Sequence, residues 1–261
     1  MKAFLKSIAL LGLFAVSAKA AEITEKTIVY QEGETQLEGY AALPKEAEGK
    51  LPVIVVVHQW MGLTDYEKMR CQQLAKLGYL AFAVDIYGQG VRPSSMSEAG
   101  AQAGKYKSDR ALYRKRLNAG LAEALKQPQA DPDKVVAIGY CFGGTGVIEL
   151  ARSGAEVDGV VSFHGGLDSP TPADGAKIKA RVLALHGADD PHVKAADLAA
   201  FEEEMRKHEV DWELVKYGGA VHAFTQKMAG NDPSKGAAYD ARADQRSWQQ
   251  LMTFLGQVFG Q

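Results

Sequence analysis

The sequence predicts an α/β fold, with a mostly parallel central sheet, helices on both faces and an antiparallel hairpin at one edge. Three observations carry this reading. Runs such as Pro52-Val53-Ile54-Val55-Val56-Val57 are continuously apolar, as strands buried on both faces must be. Such runs alternate with amphipathic helical stretches, the order that builds parallel sheets. One run, Val135-Val136-Ala137-Ile138, passes through Gly139-Tyr140-Cys141-Phe142-Gly143-Gly144 directly into a helical pattern. That junction is a tight strand–turn–helix with a nucleophile at its apex.

The elements follow in chain order. Lys2 and Lys6, the apolar stretch Ile8 to Val16 and Ala18-Lys19-Ala20 read as a secretory signal peptide cleaved after Ala20. The apolar stretch is too short to cross a bilayer. Residues 21–261 are expected to form one domain, since no composition break or internal repeat divides them. Lys26 to Tyr30 and Gln36 to Ala41 alternate about Glu32-Gly33-Glu34 and predict the edge hairpin. Asp65 to Leu77 is helical, ended by Gly78, and Leu80 to Val84 is the next strand. Tyr87 to Gly104 shows no period and reads as a long loop. A single long helix is expected over Lys105 to Gln127, and Pro128 to Pro132 should break the chain before the elbow strand. Strands at Val157 to Phe163, Arg181 to Leu185 and Asp211 to Tyr217 follow, with helices at Lys194 to Lys207 and within Ala237 to Val258.

Bulk properties narrow the function. The chain has 261 residues and a formal charge of −2. Loss of the leader removes three lysines and no acid, so the charge moves from −2 to −5. That balance, with no Lys/Arg stripe, argues against a nucleic-acid partner. An exported protein, periplasmic or secreted, without stable membrane association after cleavage is expected. Its two cysteines, Cys71 and Cys141, meet an oxidising compartment that permits a disulfide. Such a bridge would consume the elbow thiol.

Reactive groups of such a sheet gather beyond the carboxyl ends of its strands. Cys141 follows one strand. His186-Gly187-Ala188-Asp189-Asp190-Pro191-His192-Val193 follows another, and Gly218-Gly219-Ala220-Val221-His222-Ala223-Phe224 follows the last. Nucleophile, acid, His is the chain order of α/β-hydrolases. His222 is the candidate base, on a Gly-rich loop able to reach back to the sulfur. Asp189 and Asp190 compete as its acid, and the spacing Gly187-x-x-Asp190-x-x-Val193 favours Asp190. His58 ends a strand beside an oxyanion-type loop, and His164 lines the site. Imidazole and carboxylate also bind zinc. The spacing of His186, Asp189, Asp190 and His192 nevertheless matches no familiar metal site, and neither metal nor cofactor is expected.

The ordered motifs resemble the dienelactone hydrolase family. They are Gly139-Tyr140-Cys141-Phe142-Gly143-Gly144, Val57-His58-Gln59-Trp60-Met61-Gly62, Asp85-Ile86-Tyr87-Gly88, Gly187-Ala188-Asp189-Asp190 and His222-Ala223-Phe224. The resemblance implies an α/β-hydrolase fold and hydrolysis of small esters or lactones through a Cys141, His222, Asp190 triad and a thioester. It implies an oxyanion hole from the backbone N–H groups of Phe142 and Trp60. Gln59, Met61, Tyr87, Arg92, His164 and Phe224 are the expected pocket residues. Gln59 stands where the best-known members carry a Glu that keeps the resting Cys a thiol. Gln226 stands where they carry a carboxylate-binding Arg. Both departures argue against a dienelactone itself as substrate. Two other readings remain at this point: a redox-responsive thiol protein using Cys141, and a catalytically idle binding protein on a hydrolase fold.

Overall fold

The computed structural model describes residues 22–260; the expected signal peptide, residues 1–20, lies outside the described residues. Strands β1 (Ile23–Glu32) and β2 (Thr35–Pro44) form the predicted antiparallel hairpin about Gly33-Glu34. They are followed by β3 (Leu51–Val57), β4 (Leu80–Val84), β5 (Ala130–Tyr140), β6 (Gly159–Phe163), β7 (Arg181–Gly187) and β8 (Trp212–Tyr217). The eight strands make one sheet in the order β1-β2-β4-β3-β5-β6-β7-β8. The hairpin joins antiparallel to β4, and every pair from β4 to β8 is parallel.

Because side chains alternate along a strand, the continuous apolar runs feed two cores. Val53, Val55 and Val57 enter one, with Phe82, Tyr113 and Val147. Ile54 and Val56 enter the other, with Leu74, Leu251 and Phe254. Helices α1 (Asp65–Lys76) and α6 (Ala241–Phe259) cover the second core. Helices α2 (Met96–Ser108), α3 (Arg110–Leu125), α4 (Phe142–Arg152) and α5 (Ala195–Lys207) cover the first. Helix α1 starts at a capping box: Thr64 Oγ1 accepts from the Tyr66 N–H, and the Glu67 carboxylate accepts from the Thr64 N–H at 2.8 Å.

The structure corrects three local expectations. The stretch read as a loop from Tyr87 to Gly104 contains most of α2, opened by Ser95, whose hydroxyl accepts from the Glu98 N–H at 3.2 Å. Its buried stripe is Ala99, Ala103 and Tyr106, and two alanines give little hydrophobic contrast. The single helix expected over Lys105 to Gln127 is two. Asp109 ends α2 and caps α3, its carboxylate accepting from the Leu112 N–H at 2.9 Å. Finally, β5 begins before the proline break: Ala130 and Asp131 pair with Leu51 and Pro52. The register then jumps so that Val135 faces Val53, which leaves residues 132–134 unpaired as a bulge and accommodates Pro132.

The junction of β5 with α4 is where glycine is indispensable. A Cβ on Gly143 would lie well inside contact distance of the Val57 carbonyl at the end of β3, and one on Gly139 would strike the Gly143 carbonyl. Both obstacles are backbone and cannot swing away. Gly143→Ala is therefore expected to cost about 3 kcal/mol of stability, at the upper end of overpacking. Urea denaturation of the two proteins measures it; an unchanged midpoint would show that the elbow tolerates a side chain there.

Candidate active site

Cys141 sits between β5 and α4 with φ 56° and ψ −114°, outside the regions L residues favour. Among the described residues only four non-glycines have positive φ: Cys141, His164, Glu209 and Ala223. Three of these meet at one place, the pattern of strain held at a functional site by its surroundings. The Cys141 N–H donates to the Phe163 carbonyl at 3.0 Å and to His164 Nδ1 at 3.1 Å. The first turn of α4 is pinned in turn: Tyr113 Oη donates to the Phe142 carbonyl at 2.8 Å, and the two rings stack 4.5 Å apart.

His222 reaches the sulfur from the loop after β8. Its N–H donates to the Gly236 carbonyl at 3.3 Å, and its carbonyl accepts from Ala238 at 3.0 Å. Its Nε2 lies 3.1 Å from Cys141 Sγ, and its Nδ1 lies 2.8 Å from Asp190 Oδ2. The other Asp190 oxygen accepts from the His192 N–H at 2.8 Å. The competition between the two acids has a geometric outcome. Asp190 is buried and faces the imidazole, whereas exposed Asp189 accepts from the Gly219 N–H at 3.1 Å. The loops after β7 and β8 touch so closely that a Cβ on Gly187 would lie 2.7 Å from the Ala220 carbonyl.

These contacts polarise the pair. Burial pushes the Cys141 thiol up, but the His222 charge and hydrogen bond, the Phe142 N–H and Lys107 together bring it below its ordinary range. Burial disfavours charge on His222, yet Cys141 and Asp190 raise its pKa to about 10. Burial likewise opposes charge on Asp190, and His222 with the His192 N–H outweighs it, holding the carboxyl below its usual value. Thiolate beside imidazolium is thus the favoured state from the lowered Cys141 pKa up to about pH 10. Below that window the sulfur protonates. Iodoacetamide alkylation of Cys141 should accordingly be fast at neutral pH and fade only as pH falls. Gln59→Glu, which restores a carboxylate to the neighbouring loop, should move the midpoint back toward about 8.5. A wild-type profile that rises only near 8.5, and that the Glu leaves unchanged, would contradict this electrostatic balance.

The remaining predicted residues take varied places. Gln59 and Trp60 lie on the loop after β3. The Gln59 carbonyl accepts from His58 Nδ1 at 2.6 Å, and its N–H donates to buried Glu67 at 3.2 Å. His58 Nε2 accepts from the Ile86 N–H at 3.2 Å, so this imidazole ties the loop to the strand beside it. The Trp60 carbonyl accepts from Tyr87 Oη at 2.9 Å. Tyr87 is buried, its ring tilted against Phe142 at 5.5 Å. Met61 is half-buried. Phe224 is wholly buried, edge-on to His164 at 5.0 Å. The Arg92 guanidinium is held by the Leu63 and Val91 carbonyls, both at 2.8 Å, and lies 3.8 Å from Asp85. Lys107, on α2, is a positive charge near the sulfur that sequence reading missed: it fell within the helix expected from Lys105, and nothing local marked that stretch as facing the site. Both cysteines are free, and Cys71 is buried on α1. Among the described residues no group of three or more His, Cys, Asp or Glu side chains is disposed to hold a metal ion.

A mostly parallel eight-stranded sheet with a Cys at its strand–turn–helix elbow, and with acid and His on the two loops beyond, defines an α/β-hydrolase architecture. The sequence model of the dienelactone hydrolase family matches residues 37–259. The chain belongs to that family and is a hydrolase of the ester and lactone class. It is 30% identical over 231 residues to a Synechocystis protein named "Putative carboxymethylenebutenolidase", covering 83% of this chain and 89% of that one. A crystal structure described as a dienelactone hydrolase-like promiscuous phosphotriesterase from metagenomic libraries is 37% identical. It superposes with a TM-score of 0.87 over 90% of this chain and 98% of its own. The Pyrococcus horikoshii acylaminoacyl peptidase, 17% identical with a TM-score of 0.68, covers 89% of this chain and 41% of its own and shares the fold alone.

Proposed function

We propose that the protein is an exported thiol hydrolase of small esters or lactones, working through Cys141, His222 and Asp190. The observation that carries the reading is the unbroken contact series Sγ–Nε2 at 3.1 Å and Nδ1–Oδ2 at 2.8 Å, built on the strained elbow. The Cys141 thiolate attacks the acyl carbon, a C–S bond forms, and the carbonyl π pair moves onto oxygen. The N–H groups of Phe142 and Trp60 receive that oxyanion, a charge present only in the tetrahedral state. Collapse expels the alkoxide, which takes the Nε2 proton of the His222 imidazolium. Neutral His222 then removes a proton from water, hydroxide attacks the thioester, and thiolate leaves. Asp190 holds Nδ1–H throughout and steadies the imidazolium. Gln59 and Gln226 stand where the family carries charged residues, the Gln226 side chain accepts from the Met228 N–H, and Arg92 is occupied by carbonyls, which favours esters without an obligatory carboxylate. One relative is described as a promiscuous phosphotriesterase, so aryl phosphotriesters belong in the same assay.

The test is rapid-mixing kinetics with an activated aryl ester. A burst of about one phenolate per enzyme, followed by slower turnover, is the fingerprint of a covalent acyl intermediate. Steady turnover without a burst, together with no protection of Cys141 from alkylation, would remove the thiol from the mechanism.

A further inference from the structure

His164 stands outside the three residues that meet at the sulfur, yet it touches the nucleophile's own backbone. Its Nδ1 accepts from the Cys141 N–H at 3.1 Å. An imidazole that accepts at Nδ1 and is neutral carries its proton on Nε2. That Nε2 lies 2.8 Å from Thr225 Oγ1, to which it therefore donates. The chain of contacts continues outward. Tyr66 Oη lies 2.7 Å from Thr225 Oγ1 and accepts from Arg70 Nε at 3.2 Å and Nη2 at 3.1 Å. Arg70 Nη2 also donates to Asp244 at 2.8 Å, which anchors the series on α6. With two Arg donors filling its lone pairs, the Tyr66 hydroxyl has its own proton left to give to Thr225. All members from Cys141 to Arg70 are buried or half-buried and come from four separate stretches of chain, Tyr66 and Arg70 sharing α1.

We propose that His164 is a positioning residue. In this account, which rests on the thiol-hydrolase reading above, the Thr225–Tyr66–Arg70 series locks it as a neutral Nδ1 acceptor. That acceptor holds the strained Cys141 backbone so that Sγ meets His222. Protonation of the imidazole would set an N–H against the Cys141 N–H and place a second cation beside His222, whose ring centroid is 5.3 Å away. The groups facing His164 agree with a permanently neutral ring. Burial first, then the charges of His222, Arg70 and His186, keep its pKa well below the ordinary value. Phe224 and Tyr140 supply the apolar walls, at ring distances of 5.0 and 6.1 Å. His164 itself has φ 41°, so a second strained residue supports the first.

The experiment is the pH profile of Cys141 alkylation by iodoacetamide in wild type, His164→Phe, His164→Asn and Thr225→Val. Thermal melting of each is measured alongside. The acyl burst of the wild type tests the thiol-hydrolase reading by itself, because steady turnover without a burst and without protection of Cys141 would sink that reading whatever the variants' midpoints do. Given a low wild-type midpoint, His164→Phe should raise it by about one pH unit, the worth of one buried hydrogen bond. Thr225→Val, which removes the acceptor that fixes the tautomer, should raise it by a smaller amount. His164→Asn, whose Oδ1 can take the place of Nδ1, should restore it. A merely structural His164 would lower the melting temperature and leave the midpoint where it was. That outcome, or an Asn variant no better than Phe, overturns the proposal. If His164→Phe fails to fold, an unshifted Thr225→Val midpoint overturns it equally.

Discussion

Cys141→Ala is expected to lower kcat/KM for ester hydrolysis by about 10⁴-fold or more, with the circular dichroism spectrum unchanged. The size follows from its place. The sulfur is the only atom at the elbow apex that can form a covalent bond with the acyl carbon, and His222 Nε2 faces it at 3.1 Å. The fold should survive because Cys141 is only partly buried, and its backbone is held by groups outside its own side chain: the Phe163 carbonyl and His164. Cys141→Ser should be weak rather than neutral. A hydroxyl is far less acidic than a thiol, and an imidazole matched to a thiolate gives it too little help. Near-wild-type turnover by a folded Cys141→Ala protein would end the assignment.

The second large effect is at the acid. Asp190→Asn should cost about 10³- to 10⁴-fold in kcat, because an amide NH₂ turned toward Nδ1 stabilises the wrong imidazole tautomer. Asp189→Asn should stay within about twofold, since its exposed carboxylate only accepts from the Gly219 N–H and never faces the ring. Measuring kcat for both decides between adjacent carboxylates. Equal, small losses would mean that His222 works without an acid. The pH dependence follows the same geometry. Asp190 is held below the usual carboxylate range, and His222 keeps its proton to about pH 10. The acid limb of kcat/KM should therefore report protonation of Cys141 and lie below the ordinary thiol value.

Much of this site was legible in the sequence, for a physical reason. The elbow depends on local sterics: Gly139 and Gly143 are required where backbone meets backbone, and a six-residue motif displays them. The buried strands display themselves as unbroken apolar runs. The rule that loops beyond strand ends carry chemistry then selected His222 and Asp190. Other features were hidden. Helix α2 buries two alanines, Ala99 and Ala103, before Tyr106, so most of its stripe has little contrast. The break at Asp109 needs knowledge that its carboxylate caps α3 rather than facing solvent within one helix. The support behind the nucleophile joins Tyr66, Cys141, His164 and Thr225. His164 to Thr225 spans 61 positions and Tyr66 to Thr225 spans 159, and no local pattern encodes such a pairing. Arg92 is instructive in the other direction. It was expected among the pocket residues, but the Leu63 and Val91 carbonyls occupy its N–H groups here.

The most direct measurement is mass spectrometry of the protein quenched in acid seconds after mixing with an activated aryl ester. The account predicts an added acyl mass on the peptide that contains Cys141. The adduct should be lost with time in wild type, persist when His222 is replaced by Ala, and be absent from Cys141→Ala. Ester turnover with an unmodified Cys141 peptide at every quench time, or an acyl group found on another residue, would contradict it.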